Sequence, residues 1–75
     1  MYYYGRIYLD GSAMNQLEAP IEDSEAVWES LRAIARTTWR TLDVLGIPYS
    51  TETTEVTMGQ ATEFRVFIDT HAEVA

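Results

Sequence analysis

Asp69, His71 and Glu73 alternate along the chain, so an extended backbone would carry an imidazole and two carboxylates to one side, where they could hold a divalent cation. His71 is the sole histidine and cysteine is absent, so a transition-metal site would have to recruit distant carboxylates. A loose polar tail without metal or other cofactor is expected. Nucleophilic catalysis is no better provided for. Ser12, Ser24, Ser30 and Ser50 lie in no elbow motif, and the four glycines form no phosphate-cradling loop. Carboxylate pairs that do acid–base work need a pocket, which 75 residues are barely enough to close. The residue types point away from an enzyme.

Charge is the stronger signal. Twelve acidic residues stand against five arginines, with no lysine, for a formal net charge of −7. A surface of that sign repels phosphate, which disfavours direct binding to nucleic acid or to an anionic membrane and favours a protein partner with a basic surface. The excess is uneven. Residues 22–45 carry five acids against Arg32, Arg36 and Arg40, a balance of −2, whereas the remainder carries seven acids against Arg6 and Arg65, a balance of −5. Glu52, Glu55, Glu63, Asp69 and Glu73 are therefore the candidate partner-binding acids. Arg32, Arg36 and Arg40 read first as a solvated helix face and second as a basic face for an acidic partner, with Trp28 and Trp39 stacking beside them.

Full imitation of duplex DNA is undersupplied. A domain of this size is roughly 29 Å across, and a duplex presents one charge per about 1.7 Å, or about 17 over that span. One face resembling part of a single strand is the most that −7 could provide. Even there, Arg65 and Phe67 interrupt the row from Glu63 to Asp69.

These side chains need elements to position them. In residues 22–45, Val27, Leu31, Ile34, Leu42 and Leu45 recur at helical spacing, with Ala35 and Thr38 on the same stripe. Asp23 or Ser24 can cap the start, and Gly46 with Pro48 ends the helix. Residues 2–9 alternate as a strand, with Tyr3, Gly5, Ile7 and Leu9 on one face and Tyr2, Tyr4, Arg6 and Tyr8 on the other. Residues 49–58 and 62–70 read as a hairpin about Gly59-Gln60, and residues 10–21 as a polar connector.

The expected fold is a single α+β domain over residues 1–75, with 70–75 a fraying tail. It is a two-layer βαββ sandwich, one long amphipathic helix on a three-stranded sheet of order 1-3-2. The last strand lies centrally, antiparallel to both neighbours. With the helix on one face, Tyr2, Tyr4, Tyr8 and Phe67 form an uncovered aromatic face suited to homodimerisation or to contact with another protein.

The N-terminus lacks a basic segment followed by an apolar run, and no stretch approaches the about 18 apolar residues of a membrane span, so an untargeted cytoplasmic protein is expected. In size and charge the chain is similar to small acidic α/β phage proteins that inhibit bacterial nucleases and CRISPR effectors, although no motif carries that likeness. The leading expectation is a non-enzymatic acidic inhibitor or adaptor, phage-encoded, that docks on the basic surface of a nucleic-acid-processing partner. The alternative is a dimeric structural or assembly subunit whose acidity serves solubility, as in halophiles. A small metal- or ligand-dependent enzyme subunit stands third.

Overall fold

The computed structural model describes residues 2–16 and 22–71. Two hairpins flank one helix: β1 (Tyr2–Leu9), β2 (Ser12–Gln16), α1 (Ser24–Leu45), β3 (Ser50–Met58) and β4 (Ala61–Asp69). They form a four-stranded mixed sheet of order β2-β1-β4-β3. The α+β class and the long helix agree with the expectation; the sheet differs in detail, because it has four strands and not three, although the three expected strands keep their relative order 1-3-2 as β1-β4-β3.

The difference begins at Asp10-Gly11. Both residues adopt positive φ, 51° and 84°, as a two-residue type I′ turn requires, and Asp-Gly is a strong signal for such a turn. The chain therefore folds back on β1 as β2, inside the segment read as a connector. This adds one reversal of direction. The last strand still lies beside β1, but β1 and β4 run parallel, from Tyr2 opposite Ala61 to Leu9 opposite Ile68. The antiparallel partner of β4 is β3, paired without interruption from Ser50–Asp69 to Met58–Ala61. The register of β1 with β2 shifts between Ile7 and Tyr8. Met14 is the extra residue of the resulting bulge, and its Sδ accepts from the Thr38 hydroxyl of the helix at 3.9 Å.

The helix is bounded at both ends by side-chain and backbone caps. The Asp23 carboxylate accepts from the N–H groups of Glu25 at 3.0 Å and Ala26 at 3.4 Å, meeting donors that the first turn leaves open. At the other end Gly46 takes a left-handed conformation, φ 69°. Its N–H donates to Asp43 O and that of Ile47 to Leu42 O, the paired bonds of a Schellman motif. No basic residue falls in the last turn, where a cation would best complement the helix dipole.

Val27, Leu31, Ala35 and Leu42 pack on Ile7, Phe64, Val66 and Ile68 to make the core. The stripe runs past the sheet edge: Leu45, expected in the core, is 64% exposed. At Gly5 the Leu31 side chain of the helix occupies the space a β-carbon would need. The helix lies over the central strands β1 and β4, and most of β3 remains exposed at the sheet edge. Among the described residues, no helix is long and apolar enough to cross a membrane.

Candidate functional site

Side-chain alternation sends β1 and β4 residues of opposite parity to opposite faces. Tyr3, Ile7, Phe64, Val66 and Ile68 go under the helix. Tyr2, Tyr4, Arg6 and Tyr8 share the opposite face, which no described element covers, with Glu63, Arg65, Phe67 and Asp69, because the parallel register sets Tyr4 opposite Glu63, Arg6 opposite Arg65 and Tyr8 opposite Phe67. The Tyr8 and Phe67 rings stack with centroids 4.9 Å apart. Tyr2 is 46% exposed; Tyr4, Tyr8 and Phe67 are half-buried against one another and their neighbours. The aromatic face that sequence alternation delineates is thus assembled, with charged residues running through its middle.

Those charges compensate each other. Glu63 bridges both arginines: its Oε2 lies 3.3 Å from Arg6 Nε, and its Oε1 accepts from Arg65 Nε. The Arg6 guanidinium is pushed further above its ordinary value, first by its hydrogen bond with Tyr8 and then by the charge of Glu63. Glu63 is consequently engaged within the sheet face.

The remaining candidate acids do not form one row. Glu52 opposes Phe67 and shares its face, whereas Glu55 opposes Phe64 and points to the helix side. Glu73 lies outside the described residues. Asp69 stands at the end of the uncovered face, and its Oδ1 accepts from the His71 N–H at 2.8 Å. The parallel pairing brings Asp10, sixty residues away in sequence, beside this end. Its carboxylate accepts from the Thr70 N–H at 2.8 Å and from the Thr70 hydroxyl at 2.7 Å.

A concavity of ≈ 460 Å³ results, lined by Asp10, Gly11, Ser50, Glu52, Phe67, Ile68, Asp69 and His71. Its lining combines three carboxylates with the Phe67 ring, and His71 Nε2 lies 3.7 Å from Asp10 Oδ2. Asp10 is the member that sequence reading missed. The Asp-Gly turn signal marked its position, but not its meeting with the far end of the chain. Among the described residues, no group of three or more histidine, aspartate or glutamate side chains is placed to hold a metal ion.

The hydrogen bonds from Thr70 hold the Asp10 carboxyl below its ordinary value against the opposing effect of burial, with a smaller contribution from the charge of His71. A carboxyl lowered on folding stabilises the native state above its unfolded value, and that contribution disappears as pH falls through the lower folded value. Acid titration of stability should therefore steepen below the ordinary carboxylate range. Asp10→Asn, which keeps an acceptor and tolerates positive φ, should flatten that acid limb in urea melts taken at successive pH values. An unchanged limb would remove Asp10 from the acid response.

On the helix, Arg32, Arg36 and Arg40 are exposed. The Arg32 guanidinium lies 5.9 Å from the Trp28 ring centroid, and Trp28 in turn leans on Phe64 at 4.6 Å. A shallower groove of ≈ 200 Å³ runs between the helix and β3, lined by Trp28, Arg32, Trp39, Thr51, Thr53 and Val66. The buried Trp39 Nε1–H has no acceptor among the described residues. Comparison with family models, curated proteins and solved structures finds no match for this chain.

Proposed function

We propose that this chain is a non-enzymatic protein-binding domain, an inhibitor or adaptor, that docks the acidic end of its uncovered sheet face on a basic patch of a nucleic-acid-processing partner. The concavity that gathers Asp10, Glu52 and Asp69 around Phe67 carries this reading. An arginine or lysine side chain entering it would meet three carboxylates and an aromatic ring, the combination that binds cationic side chains at protein interfaces. Glu52 joins no ion pair among the described residues and so remains available to a partner. The adjoining Tyr8–Phe67 stack extends the contact area with rings already ordered in the free protein.

The same face is too nearly balanced to act by charge alone. The charges of Arg6 and Arg65 offset those of Glu52, Glu63 and Asp69 on this face, so recognition rests on the local acidic end and the Phe67 ring beside it. Titration with an arginine-rich peptide, followed by amide chemical shifts, should perturb Ser50, Glu52, Phe67 and His71 and weaken steeply as salt is raised. The double variant Glu52→Lys/Asp69→Lys should reduce the affinity at least about tenfold. Salt-indifferent binding, or equal affinity for the double variant, would refute docking at this end.

A further inference from the structure

The two edges of the sheet are unlike. β2 has five residues and carries the Met14 bulge, and short, bulged strands are a common protection against edge pairing. β3 has nine residues in unbroken register with β4 and contains neither proline nor lysine. Which of its backbone groups are unpaired follows from β4. The Tyr2 N–H donates to Gln60 O and the Asp10 N–H to Ile68 O, both at 2.9 Å, so even-numbered positions on this segment turn their backbone groups toward β1. The odd-numbered residues of β4 must therefore bond to β3, where their partners are Ser50, Glu52, Thr54, Val56 and Met58. The N–H and C=O groups of Thr51, Thr53, Glu55 and Thr57 consequently face outward.

We propose that β3 pairs antiparallel with β3 of a second copy of this chain, about a two-fold axis through Thr54, to form a continuous eight-stranded sheet. With the axis perpendicular to the sheet, a residue can oppose only one of the same face, and centring on Thr54 is the register that engages all four outward residues. Thr51 then opposes Thr57 and Thr53 opposes Glu55, each twice by symmetry, giving about eight backbone hydrogen bonds. Glu52 opposes Val56, so no carboxylate faces another directly; centring one residue later would set Glu55 against itself.

Side-chain complementarity singles out a second copy as the occupant. Glu55 points to the helix side and joins no ion pair among the described residues. Opposite Thr53 it would stand at the mouth of the groove that Thr53 lines with Arg32 and Trp39. Arg32 and Trp39 line that groove, and the buried Trp39 Nε1–H lacks an acceptor among the described residues. The dimer would bring an acid to a donor-rich groove, twice. This edge adjoins the acidic end of the open face, with Ser50 and Glu52 belonging to both, and salt separates the two associations: it should weaken binding to a basic partner but strengthen pairing of two chains that each carry −7.

The chain has no cysteine, so single cysteines report the register cleanly. A non-hydrogen-bonded antiparallel pair places its Cα atoms about 4.5 Å apart, within the roughly 4.4–6.8 Å that a disulfide spans. Under mild oxidation Thr54→Cys should cross-link to a dimer. Glu52→Cys should not, because the two copies of that residue would be about 13 Å apart along the strands. Sedimentation equilibrium should find the unmodified protein dimeric, more so at high salt. Thr53→Pro, which removes an outward N–H and no bond to β4, should weaken the dimer at least about tenfold while leaving the circular dichroism spectrum unchanged. A wild-type monomer at millimolar concentration, or failure of Thr54→Cys to cross-link, would overturn the proposal. So would a dimer that persists in a folded Thr53→Pro variant but is lost on Tyr4→Glu, which would place the contact on the aromatic face.

Discussion

Phe64→Ala is expected to cost about 3–5 kcal/mol, a large share of what holds this domain together. At about 0.05–0.15 kcal/mol per residue, a chain of 75 residues has roughly 4–11 kcal/mol in total. Phe64 is 3% exposed and is the largest side chain that β4 sends beneath the helix. Its ring stacks on Tyr3 at 5.6 Å and takes the tilted Trp28 indole at 4.6 Å, so truncation removes contacts from β1 and α1 together. The small core has few residues able to move into the cavity. Urea unfolding followed by tryptophan emission would read the loss directly, since Trp28 borders the site. Phe67→Ala is the internal control. Phe67 lies on the uncovered face with Tyr8 as its ring partner, and its removal should cost about 1 kcal/mol. Equal losses at the two positions would contradict a core confined to the helix side.

Gly5→Ala should destabilise by about 1–3 kcal/mol, although it adds a single methyl group. That methyl would lie 2.8 Å from Leu31 Cδ2 and 2.9 Å from Cδ1 and Cγ, closer than carbon atoms approach without displacement. Leu31 is itself fully buried, with Val27 and Ala35 before and after it on the helix stripe. Relief therefore requires the helix to lift from β1 or Leu31 to leave its rotamer. Leu31→Ala alone should cost about 2–5 kcal/mol through the cavity it leaves. In the double variant the new methyl fills part of that cavity, so the combined loss should fall short of the sum by at least about 0.5 kcal/mol. Strict additivity would mean that the two residues do not share this contact.

Both effects depend on features that sequence alone reveals unequally. The helix is legible because its apolar residues recur at 3.6-residue spacing between an aspartate cap and a glycine stop. The two faces of β1 and β4 are legible for the same kind of reason, strict alternation. β2 is not, since Ser12 to Gln16 has neither alternation nor β-branched residues, and its bulge breaks the pattern further. Missing that strand inverted the orientation of β1 relative to β4, because a single hairpin changes the parity of every later strand. The separation of Glu52 from Glu55 follows from an odd spacing within one strand. The gathering of Asp10 with Asp69 and His71 does not: no local pattern encodes it, and it exists only once the first hairpin meets the last strand.

That meeting also governs when the protein can fold. The two strands at the centre of the sheet, β1 and β4, come from opposite ends of the described chain. The tight turns at Asp10-Gly11 and Gly59-Gln60 let each hairpin form locally, but neither hairpin holds a core of its own. During synthesis, β1 and the helix must wait with one flank open until Phe64, Val66 and Ile68 have left the ribosome. Among the described strands β2 is the one that pairs with β1 before β4 is made, and this polar, bulged strand covers one edge of β1 while the edge that will receive β4 stays open to other chains.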